Sequence, residues 1–247
     1  MQRVMRHLDR RMKEYSAAPF LAYLRDPGVA PLQKLAFAPH VAHFVLTFGD
    51  LCAFILRQDP PSDRFQELVN ATAREDEGHW RWFLTDLEHV GQDPLLRFSE
   101  AIRVIWGDGT VRTRMLSYQL CHFALGADSI GKLVLVHCIE GAFSVTVKDL
   151  AIAAADFAAF TGKPLRYLGG VHSDAEASHT IAEAGVRRAI EEVQLDAGVV
   201  QSLCAMVDGA FDLFAGFADE MLTLATSATV KLEHRPTTAE RDSAPPA

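Results

Sequence analysis

The 247-residue chain has little of what several protein classes require. It holds only four cysteines, Cys52, Cys121, Cys138 and Cys204, far apart and without a CxxC spacing. That excludes a zinc knuckle and argues against a disulfide framework, so the thiols read as small core residues of a reduced protein. Basic residues are outnumbered, 24 Lys and Arg against 32 Asp and Glu for a net charge of −8, and the longest basic feature is the pair Arg187-Arg188. A protein that grips a phosphate backbone gathers its cations into a stripe, so nucleic acid is not an expected partner. The opening MQRVMRHLDRRMKEY lacks an apolar core of the kind a secretion signal needs. No apolar run reads as long enough to span a bilayer, which makes a membrane an unexpected partner and the cytoplasm the expected location. Period-2 alternation, the mark of a half-buried strand, is almost missing as well.

What is present is helical periodicity, with apolar residues three and four apart along most of the chain. Breakers punctuate it at Asp26-Pro27-Gly28, Asp59-Pro60-Pro61-Ser62, Gly91-Gln92-Asp93-Pro94, Gly107-Asp108-Gly109, Gly126, Thr161-Gly162-Lys163-Pro164 and Leu195-Asp196-Ala197-Gly198. Ser62 suits a helix start. The expected fold is a single all-α domain of seven or eight helices over residues 1–228. With 49% apolar residues, a chain of this length can bury about three quarters of its extended surface. The stretch 229–247 is polar and Pro-containing, and is expected to be a disordered tail.

Ten histidines stand out in this acidic chain, several inside apolar segments. Ile130 to Phe160 is apolar on nearly all faces, yet it carries His137, Glu140, Lys148, Asp149 and Asp156. Leu35 to Leu56 is similar, with His40, His43 and Asp50. A helix that is hydrophobic all round is buried on several sides, so its ionisable groups must be paired, metal-bound or turned into a polar cavity.

Three clusters have the residue types of a transition-metal site. In His172-Ser-Asp-Ala-Glu176-Ala-Ser-His179 the positions i, i+4 and i+7 share a helix stripe, projecting two imidazoles and a carboxylate. That donor set suits iron, manganese or zinc, and the alternative is a solvated polar face. In Glu75-Asp76-Glu77-Gly78-His79 either Glu75 or Asp76 can share a face with the imidazole, the alternative being an exposed acidic run. Glu140 is the third, a carboxylate in an apolar surround that must be neutralised, coordinated, or bonded to His137 one turn away. Helical bundles with carboxylate-histidine centres draw ligands from several facing helices in this way.

These clusters together with the run Leu165-Arg-Tyr-Leu-Gly-Gly-Val-His172 to His179 resemble the haem-oxygenase-like non-haem di-iron oxidases and oxygenases, related in fold to thiaminase II and pyrroloquinoline-quinone synthase. The likeness covers roughly residues 30 to 225. It implies a seven- or eight-helix bundle holding one or two Fe ions, with Mn as a substitute, and reacting dioxygen with a small organic substrate. It implies Glu75 or Asp76, His79, Glu140, His172, Glu176 and His179 as metal ligands. This chain has Glu176 where the family usually has Asp, and no Glu on the early helix, where His43 or Asp50 are the candidate substitutes.

Two other readings share the fold. A metal-free hydrolase of the thiaminase-II kind would use Cys138 as nucleophile beside His137 and Glu140. A non-catalytic protein would bind a ligand or partner in the same cavity. A homodimer is the expected assembly. His40 and His137 are expected to be packed or hydrogen-bonded, and His7, His89, His122 and His234 carry no assigned role.

Overall fold

Helix starts and stops follow the capping chemistry of the sequence in this computed structural model, which describes residues 1–91, 93–179 and 184–228, without the side chains of residues 176, 177, 184 and 185. The chain runs through α1 (Gln2–Tyr15), α2 (Pro19–Arg25), α3 (Pro31–Lys34), α4 (Ala42–Asp50), α5 (Arg64–Asp76), α6 (Trp80–His89), α7 (Phe98–Trp106), α8 (Val111–Leu125), α9 (Ser129–Thr161), α10 (Gly170–Ala177), α11 (Ala184–Glu191) and α12 (Ala197–Ser227). The protein is all-α, with no strand among the described residues. The segments are shorter and more numerous than the expected seven or eight. The expected tail 229–247 and His234 lie outside the described residues.

Proline in the first turn opens α2 and α3, where a missing amide costs nothing. Asp63, one residue later than the expected Ser62, caps α5 by accepting from the amides of Phe65 and Gln66 at 2.8 and 3.0 Å. Asp128 caps α9 through the Gly131 amide at 2.8 Å. The same helix ends at Gly162, whose φ of +73° is the left-handed conformation a side chain resists. The apolar stretch from Leu35 to Leu56 is not a continuous helix. It comprises a 3-10 turn (Ala38–Val41), α4, and a π-helical turn (Leu51–Leu56). The last carbonyls of that turn are satisfied from outside: Lys132 donates to Ile55 and Leu56 at 3.0 and 3.3 Å, and Gln66 donates to Leu56 at 2.8 Å.

The 33-residue α9 is the central strut, packed against α1, α2, α3, α5, α8, α10 and α12. This covering explains why it is apolar on every side. One cluster of buried apolar side chains runs from Met1 through α9 to Ala225 on α12. Two acidic groups of α9 meet partners from other elements. Asp149 pairs with Arg25 of α2, and Asp156 accepts from the buried Lys34 of α3 at 2.8 Å.

Three stretches, Pro31–Leu56, Ser129–Thr161 and Ala197–Ser227, are long and apolar enough to cross a membrane by length and composition. The expectation that no segment reaches this threshold is therefore corrected. Isolated charges interrupt the apolar runs in the sequence without lowering their mean hydropathy far. In α9, 67% of the most apolar window is buried among the other helices, which accounts for its composition without a bilayer.

His137 shows how tightly this strut is enclosed. Its Nδ1 donates to the Leu133 carbonyl at 2.9 Å, rather than pairing with Glu140, and its Nε2 is buried without a hydrogen-bond partner among the described residues. Burial lowers its pKa from 6.5 to about 4. Between those values the unfolded chain takes up a proton that the folded chain refuses, so the contribution is complete above pH 6.5 and is lost as pH falls towards 4. Urea unfolding at pH 7 and pH 5 is expected to show that His137→Leu removes about 2 kcal/mol of the parent's acid destabilisation. An identical pH slope in both proteins would contradict this account.

Candidate metal centre

The centre is assembled from the end of one helix, a turn, the middle of α9 and the segment around α10. Asp76 is the last residue of α5 and is buried, whereas Glu75 is exposed. His79 lies in the turn that follows and starts α6, so the i, i+3 relation to Asp76 is kept by a turn rather than by a continuous helix. His172 is on α10, but that helix ends at Ala177 and His179 lies beyond it. The expected helical stripe of three ligands does not extend to His179. The side chain of Glu176 lies outside the described residues.

Asp76, His79 and His179 each offer a ligand atom within 4.8 Å of the other two. Asp76 Oδ1 is 3.4 Å from His79 Nδ1 and 3.6 Å from His179 Nε2. Both separations are too long for a good hydrogen bond. They are close to the roughly 3.0 to 3.4 Å between neighbouring donors on a first-row ion with bonds of about 2.1 Å. All three residues are buried. Behind His179, Nδ1 donates to Glu140 Oε2 at 2.9 Å, which leaves Nε2 on the side of Asp76. A carboxylate oxygen facing an imidazole nitrogen across this gap is met either by the proton of an imidazolium or by a bound cation, and the second makes these three residues a candidate metal site. The donor set therefore fits a divalent ion of the iron, manganese or zinc kind.

His172 completes the ring of imidazoles, its centroid 5.0 Å from that of His79. Its Nδ1 donates to the Tyr167 carbonyl at 2.8 Å, which fixes the tautomer with Nε2 as acceptor. His79 stacks on Trp82 at 4.3 Å, with Arg166 lying 4.0 Å over the same indole.

The loop before α10 is held by a residue that the spacing arguments missed. Asp86 of α6 is fully buried, and its two oxygens accept from the backbone amides of Arg166 and Leu168, both at 2.8 Å. Burial raises its pKa against these hydrogen bonds, which favour the charged form. Asp86 thereby positions the Tyr167 carbonyl that orients His172. Its sequence signal was an acid on the same helix stripe as the buried Phe83 and Val90.

Two small cavities meet at this centre, and Asp76 and Phe48 line both. The first lies beside His79, His172, Tyr167 and Phe143. The second lies on the Glu140 side of Asp76. Each has room for about one small molecule of the size of water or little more, far less than a drug-sized ligand needs.

The early-helix candidates do not reach the cluster. His43 turns to α8, where Nδ1 meets Ser117 Oγ at 3.1 Å and the ring packs on Trp106 and Tyr118. Asp50 is exposed, on the same face as His43. The face that α4 presents to the centre carries Val45, Phe48 and Gly49, none of them a ligand. Cys138 lines neither cavity and is completely buried, and burial pushes its thiol pKa far up, which holds the sulfur as a thiol rather than a nucleophilic thiolate. Among the remaining histidines, His7 meets Asp208 at 2.8 Å and His89 donates to the Pro164 carbonyl at 2.9 Å, both structural ties.

Set against known proteins, the chain matches no protein-family model and no curated protein sequence.

If the cluster holds a divalent ion, Asp86→Asn is expected to weaken its binding by about tenfold or more while the helical circular dichroism stays unchanged, because the change acts through the support of a ligand. Titration of Fe(II) into the anaerobic variant checks this. Parental affinity would remove Asp86 from the centre's support.

Proposed function

We propose that the chain is a non-haem iron-dependent oxidase or oxygenase acting with dioxygen on a small organic substrate, of the haem-oxygenase-like kind that its motifs resemble. The observation that supports it best is the convergence of Asp76, His79 and His179 at distances suited to a shared ion. Two nitrogen donors and one carboxylate with further positions open are the donor set of non-haem iron oxygenases, and manganese is the natural substitute. When bound, iron supplies the one- and two-electron chemistry with dioxygen that protein side chains lack.

The protein residues have separable tasks in this reading. Asp76, His79 and His179 hold the ion. Glu140 fixes the ring of His179 by accepting from its Nδ1, and in this reading it would serve as a further ligand. His172, oriented by Tyr167, borders the first cavity and supplies an additional imidazole. A second ion would draw on Glu140, His172 and Glu176. Val45, Phe48 and Phe143 wall the first cavity with apolar surface, which keeps bulk water from the reacting groups.

Anaerobic loading with Fe(II), followed by metal analysis, is expected to give about one to two Fe per chain from this ligand count. Asp76→Ala and His179→Ala are each expected to lose most of the bound metal, whereas Glu75→Ala retains it. A parent chain that takes up neither Fe nor Mn under these conditions would sink the proposal.

A further inference from the structure

The second cavity has a polar group that the metal centre leaves unexplained. Its walls are aliphatic at Leu56, Val136 and Ile139, and its floor is made by the carboxylate-bearing residues Asp76 and Glu140. Thr72 of α5 lines it at 1% exposure, and the Thr72 hydroxyl is buried without a hydrogen-bond partner among the described residues. A helical threonine ordinarily turns its hydroxyl onto the carbonyl four residues back. Thr146 does so here, donating to Ala142 at 2.8 Å. Thr72 does not, although a buried hydroxyl without a partner is costly. The neighbouring Cys52 thiol adds no charge, because burial holds its pKa well above the usual thiol value.

A cavity too small for a drug-sized molecule, aliphatic on most sides and equipped with one hydroxyl donor, selects a small uncharged molecule with a single weak acceptor. We propose that this cavity binds a neutral ligand of diatomic size, with the Thr72 hydroxyl donating to it beside Asp76 and Glu140. The identification of that ligand as dioxygen rests on the proposed function. The existence of the site does not. Thr72 is thus a positioning residue for the co-substrate, on the opposite side of Asp76 from the cavity that His172 borders.

Xenon and nitric oxide are the probes. Crystals of the metal-free full chain under xenon pressure are expected to show one xenon atom between Thr72, Val136 and Ile139. Val136→Phe or Ala73→Leu should abolish it, with thermal melting used to select the variant that folds. In the Fe(II)-loaded protein, Thr72→Val is expected to weaken nitric oxide binding by about three- to tenfold, the loss of one hydrogen bond. Iron content should be unchanged, and Thr72→Ser should restore the affinity. An ordered water on Thr72 that xenon never displaces, or parental nitric oxide affinity in Thr72→Val, overturns the proposal. Xenon uptake in a chain that binds no iron supports the cavity as a ligand site and overturns the proposed function instead.

Discussion

A carboxylate placed midway along a helix that is apolar on all sides must be answered by groups from elsewhere, and much of this structure is organised by that demand. Glu140 sits near the middle of α9, where bulk water cannot solvate it well. Its answer is His179, which follows α10, and His179 in turn faces the Asp76 that ends α5. Elements distant in sequence are thus brought to the strut by one polar requirement. A related rule acts further along α9, where the buried Asp149 is answered by Arg25 of α2 and the buried Lys34 of α3 is answered by the exposed Asp156. Hydrophobic burial supplies the bulk of the stabilisation, but the buried charges specify which helix lies against which stretch of the strut.

The centre also depends on backbone held by side chain. The loop between α9 and α10 has no helical hydrogen-bond ladder of its own at residues 165–168, and its amides are satisfied by Asp86. The carbonyl orienting His172 therefore belongs to a segment fixed from α6, the helix that begins at His79. Two of the imidazoles are consequently coupled through one short helix, and a disturbance at either end of it reaches both.

Much of this was legible in the sequence and some was not. The all-helical class followed from periodicity, and acids and histidines set in apolar surroundings marked out Asp76, His79 and His179, which the fold brings together. The choice between Glu75 and Asp76 was not readable from spacing, because both lie within reach of His79 on an ideal helix. The structure buries Asp76 and exposes Glu75. The stripe from His172 to His179 was drawn on a helix that stops at Ala177, so the proximity of His179 to Asp76 arises from the chain after the helix. His43 and Asp50 are seven residues apart, but which face of α4 meets the centre depends on tertiary packing against α8. Thr72 gave no signal at all, since a threonine on a half-buried helix face is ordinary until its hydroxyl proves to lack a partner.

The π-helical turn Leu51–Leu56 gives the second cavity part of its wall, through Cys52 and Leu56. Hydrogen bonds that skip five residues accommodate one more residue per loop of backbone than an α-helix does. This stretch thus fits one more residue into each hydrogen-bonded loop, with Lys132 and Gln66 meeting its last carbonyls. Deletion of a single residue here would let the ladder close to ordinary α geometry and turn Cys52 and Leu56 relative to Asp76. The length of this turn therefore bears on the wall of the cavity without touching Asp76 or Glu140.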